Sequence, residues 1–141
     1  PEHYKIQYDR AVKNQFHIED TPFSTITVNR NFRTGLHKDA GDFGGIACLS
    51  VLEEGKYNGG LFCLPRFGIG VNMRHGDLLI ADVHQFHCNT EIWTTASQDD
   101  YNKIHCKSFE KVNKKIGVAG SEFDFTRMSF VCYLREKLIQ C

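Results

Sequence analysis

Short runs of β-branched and apolar residues, separated by glycine and polar breaks, recur along the chain from Phe23 onward. Runs of this kind are typical of an all-β sandwich or barrel. The strands predicted from them are Ser24–Asn29, Gly45–Leu52, Leu61–Pro65, Gly70–Met73, Leu78–Val83, Thr90–Thr94 and Met128–Arg135. Residues 1–20 carry no sustained period and suit either an extended arm or a short helix.

Turn-forming residues lie between several of these strands. Asn58-Gly59-Gly60 is predicted to join two strands as a hairpin, and His75-Gly76-Asp77 to join the next two. From Thr95 to Thr126 a long polar insertion interrupts the β pattern, and loops of such length tend to be functional or disordered. The insertion contains a cluster of basic residues: Lys103, Lys107, Lys111, Lys114 and Lys115.

Composition narrows the class of protein. A length of 141 residues suits one domain, expected to span residues 1–141 with the insertion at about 95–126. Because the chain begins at Pro1, N-terminal elements could be missing. The formal net charge is zero, so no whole-protein field attracts a polyanion. The six cysteines form no CxxC pair, and no run is long enough to cross a bilayer, so we expect a soluble intracellular protein with free thiols.

A histidine and a carboxylate share one face of a polar segment after the first predicted strand. Side chains alternate in an extended segment, so His37 and Asp39 can converge on one point. They would supply two ligands of the 2-His-1-carboxylate facial triad that non-haem Fe(II) oxygenases use. A surface turn is the alternative, because an HxD triplet alone is common.

The stretch HGDLLIADVHQFHCNTEI offers two candidates for the third ligand. His84 and His87 are three residues apart, so on one strand they would face opposite sides. His87 lies at the strand end, where a jelly roll would open, and is the predicted ligand. His84 could be a core histidine or could support a ligand, and His75 is expected in a surface turn.

A second candidate site begins the last strong strand. Arg127 and Ser129 lie two residues apart and therefore share a face. A guanidinium forms planar forked pairs with carboxylates, which suits the distal carboxylate of a keto-acid co-substrate. The alternative is an arginine that ends a strand in solvent.

Three motifs in order, HKDAGD, GDLLIADVHQFHCN and RMSFVCYLRE, resemble the TET/JBP family of Fe(II)/2-oxoglutarate dioxygenases, whose members oxidise the 5-methyl group of cytosine or thymine in nucleic acid. The resemblance spans about Phe23 to Arg135 and implies an all-β fold with minor α, the double-stranded β-helix or cupin-like jelly roll. It also implies O₂ as a substrate, Fe(II) held by His37, Asp39 and His87, and 2-oxoglutarate held by Arg127 and Ser129.

The resemblance also indicates where the base would bind. VNRNF-RTGLH is similar to the same family, which makes Asn29, Asn31 and Arg33 expected pocket residues. The family's counterpart of Asp42 contacts a flipped base, and a carboxylate can accept from the N4 amino group of 5-methylcytosine or from N3–H of thymine. A turn-capping aspartate is the alternative. The expected partner is therefore DNA, with RNA also open, and the lysine cluster would either contact phosphates or form a solvated loop.

Other functions stay open on the sequence alone. One algal branch of the family resembles this HxDxxD pattern and uses ascorbate to attach a glyceryl group to 5-methylcytosine. The iron and keto-acid motifs also suit a hydroxylase of another substrate, because they do not encode the prime substrate. A cupin-like binding module with a degenerate metal site is the non-enzymatic alternative. Oligomeric state is undetermined, and in a eukaryote the nucleus is the expected location.

Overall fold

The computed structural model of the chain describes residues 2–94 and 125–139. It begins with helix α1 (Glu2–Ala11), which answers the question that the first twenty residues left open. Glu2 in the first turn and Arg10 in the last turn both suit the helix dipole. The Gln7 side chain is buried and bonds to the backbone of Pro22 and Ile46, so it fastens α1 to the sheet region.

Nine strands and a second short helix make up the rest of the described regular structure, with one 3-10 turn at Pro65–Phe67. All strand pairs are antiparallel, and the order is β1-β9-β2-β6 in a four-stranded sheet, β5-β4-β7 in a three-stranded sheet, and β3-β8 in a two-stranded sheet. The elements are β1 (Thr25–Arg30), β2 (Ala47–Gly55), β3 (Tyr57–Gly59), β4 (Phe62–Leu64), β5 (Ile69–Val71), β6 (Leu78–Ala81), β7 (Cys88–Asn89), β8 (Ile92–Thr94), β9 (Phe125–Tyr133) and α2 (Glu136–Ile139).

The core lies between the two larger sheets. On β2 the buried residues Ala47, Leu49 and Val51 alternate with more exposed ones, as expected when one face of a strand is covered. They pack in one cluster with Phe62 of β4. Partly buried side chains from both sheets extend this cluster: Leu64, Val71, Leu79, Ala81, Val131 and Tyr133. Two antiparallel sheets packed over such a core form a jelly roll, and the predicted fold class is confirmed.

Both predicted hairpins are wrong. Gly59 and Gly60 do have the positive φ angles of 76° and 70° that turn glycines adopt. However, the residues before Gly60 form β3, which pairs with β8, while β4 pairs with β5 and β7. A turn does occur at 74–77, where Asp77 N–H donates to Arg74 O, but β5 and β6 belong to different sheets. Turn residues mark where a strand ends and do not choose its partner.

Several predicted boundaries also change. β2 continues three residues beyond Leu52, because its polar end still pairs with β9. The predicted strand Thr90–Thr94 is shorter in the structure, where β8 covers only Ile92–Thr94, and the separate strand β7 (Cys88–Asn89) just before it belongs to another sheet. β9 begins at Phe125, so the last two residues assigned to the insertion are strand. The lysine cluster lies outside the described residues.

The cysteines in the described part of the chain carry free thiols: Cys48, Cys63, Cys88 and Cys132. Burial raises the pKa of the Cys48, Cys63 and Cys132 thiols.

Among residues 2–94 and 125–139, no helix is long and apolar enough to span a membrane.

Candidate metal centre and adjoining cavity

Two distant segments of the chain meet at an isolated antiparallel bridge between His37 and His87. His37 N–H donates to His87 O at 3.0 Å, and His87 N–H donates to His37 O at 2.9 Å. Asp39 N–H donates to Val83 O at 3.2 Å, which continues the contact between the segments. The backbone therefore fixes the two histidines side by side, with ring centroids 4.3 Å apart.

Hydrogen bonds leave the Nε2 atom of each histidine available. His37 Nδ1 lies 2.8 Å from Gly35 O, and His87 Nδ1 lies 2.9 Å from Gln85 O. A carbonyl oxygen only accepts, so in each neutral ring Nδ1 carries the proton and Nε2 keeps its lone pair. A metal-binding histidine is commonly oriented in this way.

The Asp39 carboxylate completes a group of possible metal ligands. Asp39 Oδ1 lies 3.3 Å from His37 Nε2 and 3.9 Å from His87 Nε2. The three ligand atoms all lie within 4.8 Å of one another. Because imidazole and carboxylate ligands bind such ions at about 2 Å, small rotations would bring all three onto one ion. Two imidazoles and one carboxylate are the donor set of a non-haem Fe(II) site, so these residues fit that metal.

His84 does not join this group. Its Nε2 lies 3.1 Å from Asp42 O, and its Nδ1 lies 3.5 Å from Asp82 Oδ1. His75 lies in the turn before β6, where its Nδ1 is 3.1 Å from the Glu53 backbone. The structure thus brings His87, rather than either of these histidines, beside Asp39.

A cavity of about 350 Å³ opens beside the three candidate ligands. This volume lies in the range of small-molecule sites. Its walls come from the inner faces of the four-stranded and three-stranded sheets, with Leu49, Val51 and Phe62 as apolar lining. Among the residues predicted for the site, those that line it are His37, Asp39, His87, Arg127, Ser129, Asn29 and Asp42.

Arg127 supplies a buried cation to this cavity. Its side chain reaches Gly60, where Nη2 donates to the carbonyl oxygen at 3.3 Å. Arg127 is only 6% exposed, and its Nε atom has no hydrogen-bond partner among the described residues. An unsatisfied buried donor is costly, so this guanidinium fits a ligand that accepts hydrogen bonds, such as a carboxylate. Ser129 lies two residues further along the same face of β9.

Asp42 lines the cavity. An isolated backbone bridge joins it to Arg135, which lies just after β9. Burial raises the pKa of the Asp42 carboxyl above its ordinary value, and the negative charge of Asp39 raises it further, whereas His84 and Arg135 oppose the rise. Asn29 pairs with Ser129 across β1 and β9, so both side chains face the same wall.

Asn31 and Arg33 are not brought to the cavity. The Asn31 side chain is 3% exposed and bonds to the backbone at the start of β9. Arg33 forms an ion pair with Glu91. The chain leaves the β1 direction at Asn31, whose φ is 46°, so strand alternation no longer places these side chains.

Sequence reasoning missed several residues around the site. The Asn89 side chain accepts a hydrogen bond from Thr34 N–H at 2.5 Å and donates one to Phe32 O at 2.8 Å. These two bonds fix the position of the segment that leads to His37. Thr34 Oγ1 in turn lies 3.2 Å from His37 Nδ1. Tyr133 also lines the cavity. Continuing the alternation from Arg127 and Ser129 would have identified Tyr133, whereas nothing local in the sequence indicates the Asn89 contacts.

Comparisons with known proteins agree with this geometry. Residues 1–136 match the family described as Tet_JBP, the oxygenase domain of the 2OGFeDO superfamily. The chain is 42% identical over 107 residues to thymine dioxygenase JBP1 of Leishmania infantum, 42% to that of Trypanosoma brucei brucei, and 44% to thymine dioxygenase JBP1-A of Trypanosoma cruzi strain CL Brener. Each match covers 75% of this chain and 12% or 13% of the relative's length.

The superfamily name implies Fe(II) and 2-oxoglutarate, and the donor set at His37, Asp39 and His87 is compatible with the metal. The matched region also contains the cavity and all seven of the predicted residues that line it. The chain therefore belongs to the Tet_JBP family of oxygenase domains.

Proposed function

We propose that this domain is an Fe(II)- and 2-oxoglutarate-dependent dioxygenase that oxidises the 5-methyl group of thymine or 5-methylcytosine in DNA. The observation that carries the proposal is the convergence of two histidines and a carboxylate beside a cavity whose wall holds a buried arginine. The chain spans about 13% of the length of its thymine dioxygenase relatives, and the name of these relatives favours thymine as the base.

His37, Asp39 and His87 would hold the iron. Their Nε2 and Oδ1 atoms face one another, and the Gly35 and Gln85 carbonyls keep the rings in the ligand tautomer. Bound Fe(II), with 2-oxoglutarate and O₂, supplies the oxidation of a methyl group to hydroxymethyl, with succinate and CO₂ as the other products.

Arg127 and Ser129 would hold the distal carboxylate of 2-oxoglutarate. The guanidinium is already charged and buried, and its Nε donor lacks a partner among residues 2–94 and 125–139. A bound carboxylate would satisfy this donor and would offset the cost of the buried charge. The apolar residues Leu49, Val51 and Phe62 would exclude water from the reacting groups.

Asp42 would contact the target base. Its carboxyl lines the cavity, and it can accept from N3–H of thymine or from the amino group of 5-methylcytosine. A base inside a duplex cannot reach such a cavity, so we propose that the target nucleotide flips out of the helix. A flipped nucleotide of RNA would meet the same requirement, so RNA is a second candidate substrate.

We propose that the domain also contacts the phosphates of the DNA backbone. The net charge of the chain is zero, so binding to a polyanion requires a local basic surface. The lysine cluster of the insertion is one candidate and stays a prediction outside the described residues. Reversing the charge of Lys107 and Lys111 should weaken DNA binding and flatten its salt dependence; an unchanged salt slope would exclude the cluster from the interface.

The experiment is nucleoside mass spectrometry after incubation with Fe(II), 2-oxoglutarate and one nucleic acid. The matched substrates are thymine-containing DNA, the same DNA carrying 5-methylcytosine, and a methylated RNA. We expect a hydroxymethylated base together with an equal amount of succinate, abolished by His37→Ala and retained by the surface control His75→Ala.

Three results would contradict the proposal. Glyceryl transfer that depends on ascorbate would assign the alternative reaction. Succinate formation coupled to hydroxylation of a substrate other than a nucleic-acid base would keep the oxygenase and exclude the base. Absence of both Fe(II) binding and 2-oxoglutarate decay would indicate a cupin-like binding module.

A further inference from the structure

We propose that Asn31 is a positioning residue that fixes Arg127 for 2-oxoglutarate binding. This inference rests on the proposed role of Arg127 and gives Asn31 a task other than contact with the base. The hydrogen bonds that link Asn31 to Arg127 lie where β1 ends, beside the beginning of β9.

Both backbone hydrogen-bonding groups of Arg127 go to Asn31. Asn31 N–H donates to Arg127 O at 2.7 Å, and Arg127 N–H donates to Asn31 Oδ1 at 2.6 Å. The N–H and C=O groups of one strand residue point to the same side, so neither group of Arg127 is directed to β2 on the other side. Glu53 of β2 lies opposite Arg127, but within residues 2–94 and 125–139 the hydrogen bonds of the Arg127 backbone go to Asn31.

The backbone conformation of Asn31 explains why its side chain, rather than its backbone carbonyl, accepts from Arg127 N–H. Its φ of 46° lies in the left-handed region, which asparagine tolerates better than most residues. The chain turns away from β9 here, so the backbone carbonyl of Asn31 does not take the position of a ladder acceptor, and the side-chain oxygen accepts instead. The Asn31 side chain is 3% exposed, and its Nδ2 donates to Phe125 O at 3.4 Å.

The guanidinium of Arg127 depends on this anchor because its surroundings are narrow. A Cβ atom added to Gly60 would lie 3.2 Å from Arg127 Nε, which is a tight contact. Arg127 Nη2 is also held by Gly60 O at 3.3 Å. A small shift of the Arg127 backbone would therefore move the forked donors away from the carboxylate that they bind, or press them against Gly60. Misplacement of a binding group by about 1 Å can cost 100-fold in rate.

Two substitutions separate the side-chain acceptor from the backbone conformation. Asn31→Gly keeps the left-handed φ at no steric cost but removes Oδ1, so the Arg127 N–H loses its partner. Asn31→Asp keeps an acceptor at the same place. Asn14→Gly is the matched control, because Asn14 is also buried and its side chain also bonds to backbone groups, those of Phe16 and Leu138, but it does not line the cavity.

The measurement is the Kd of 2-oxoglutarate by calorimetry on protein loaded with Mn(II), together with the Mn(II) affinity and the Tm. We expect Asn31→Gly to weaken 2-oxoglutarate binding about tenfold or more, with Mn(II) affinity unchanged. Asn31→Asp should recover most of the affinity. Asn14→Gly should lower the Tm and leave the Kd of 2-oxoglutarate as in the wild type.

Each other outcome has a definite meaning. If Asn31→Gly lowers only the Tm, or weakens Mn(II) and 2-oxoglutarate equally, Asn31 serves the scaffold and the inference is wrong. If Asn14→Gly weakens 2-oxoglutarate as much as Asn31→Gly does, general destabilisation explains both, and the inference is again wrong. If the Mn(II)-loaded wild type binds no 2-oxoglutarate, the proposed function itself fails.

Discussion

Replacing Arg127 by lysine tests the assignment of the co-substrate anchor. Arg127 is 6% exposed and has one donor bonded to Gly60 O and one, Nε, without a partner in the described part of the chain. Lysine keeps the positive charge but not the fork of parallel donors. The substitution therefore removes the second bond to a carboxylate while the electrostatic attraction remains.

The size of the effect follows from that lost bond. A hydrogen bond to a charged group contributes about 1.5–3 kcal/mol, and each 1.4 kcal/mol corresponds to about tenfold in affinity. Arg127→Lys should therefore raise the Kd of 2-oxoglutarate by about 10- to 100-fold. Because this site is buried, solvent cannot replace the missing donor, so the increase in the Kd should lie toward the upper end of that range.

The assay is titration of 2-oxoglutarate at saturating metal, with metal affinity and Tm measured in parallel. Arg74→Lys is the matched control: Arg74 also pairs with a carboxylate, Glu53 at 3.1 Å, and stacks over Tyr57 at 4.2 Å, but it does not line the cavity. The control should leave the Kd of 2-oxoglutarate unchanged. A Kd within about twofold of wild type for Arg127→Lys would refute the reasoning, since a fork worth 1.5 kcal/mol or more cannot then be present.

Further predictions concern the metal ligands, the base contact and a buried tyrosine. His87→Ala should abolish metal binding and turnover, whereas His84→Ala should retain both; metal titration showing the reverse order would exclude the ligand set. Asp42→Asn keeps the shape but replaces an acceptor by a donor, so base oxidation should fall while 2-oxoglutarate decay without base oxidation persists, and equal loss of both would assign Asp42 to the scaffold. Burial, aided by its hydrogen bond to Glu53, raises the pKa of Tyr57 from 10.0 to about 12. The folded state therefore holds this proton more tightly, so its contribution to stability is complete below pH 10 and is lost as the pH rises through about 12. Tyr57→Phe should reduce the alkaline loss of Tm, and an identical alkaline profile would contradict the shift.

Local patterns in the sequence were sufficient to predict an all-β sandwich or barrel and part of the candidate site, whereas the jelly roll and the roles of Asn29 and Asp42 came from the family resemblance. Short β-branched and apolar runs identified the main strands, and the period of two in an extended chain placed His37 with Asp39 and Arg127 with Ser129. These pairs lie within single segments, so the geometry of an extended chain decides which side chains share a face.

Strand pairing, in contrast, was decided only by the tertiary structure. Neither β3 nor β8 carries a local signal that it will pair with the other, and the hairpin predicted at Asn58-Gly59-Gly60 was wrong for this reason. The choice of partner depends on burying one face of each strand in a shared core, which involves residues far apart in sequence. The same long-range packing places His87 rather than His84 beside Asp39.

The role of Asn31 shows most clearly what could not be predicted from the sequence. The resemblance of its surrounding motif to a family predicted a pocket residue, yet its side chain bonds to the backbone of β9, 96 positions along the chain. A buried N–H needs an acceptor, and an asparagine in the left-handed conformation supplies one where the ladder ends. Which donor needs that acceptor is known only once both strands are in register, so the sequence determined the chemistry available and tertiary packing determined its use.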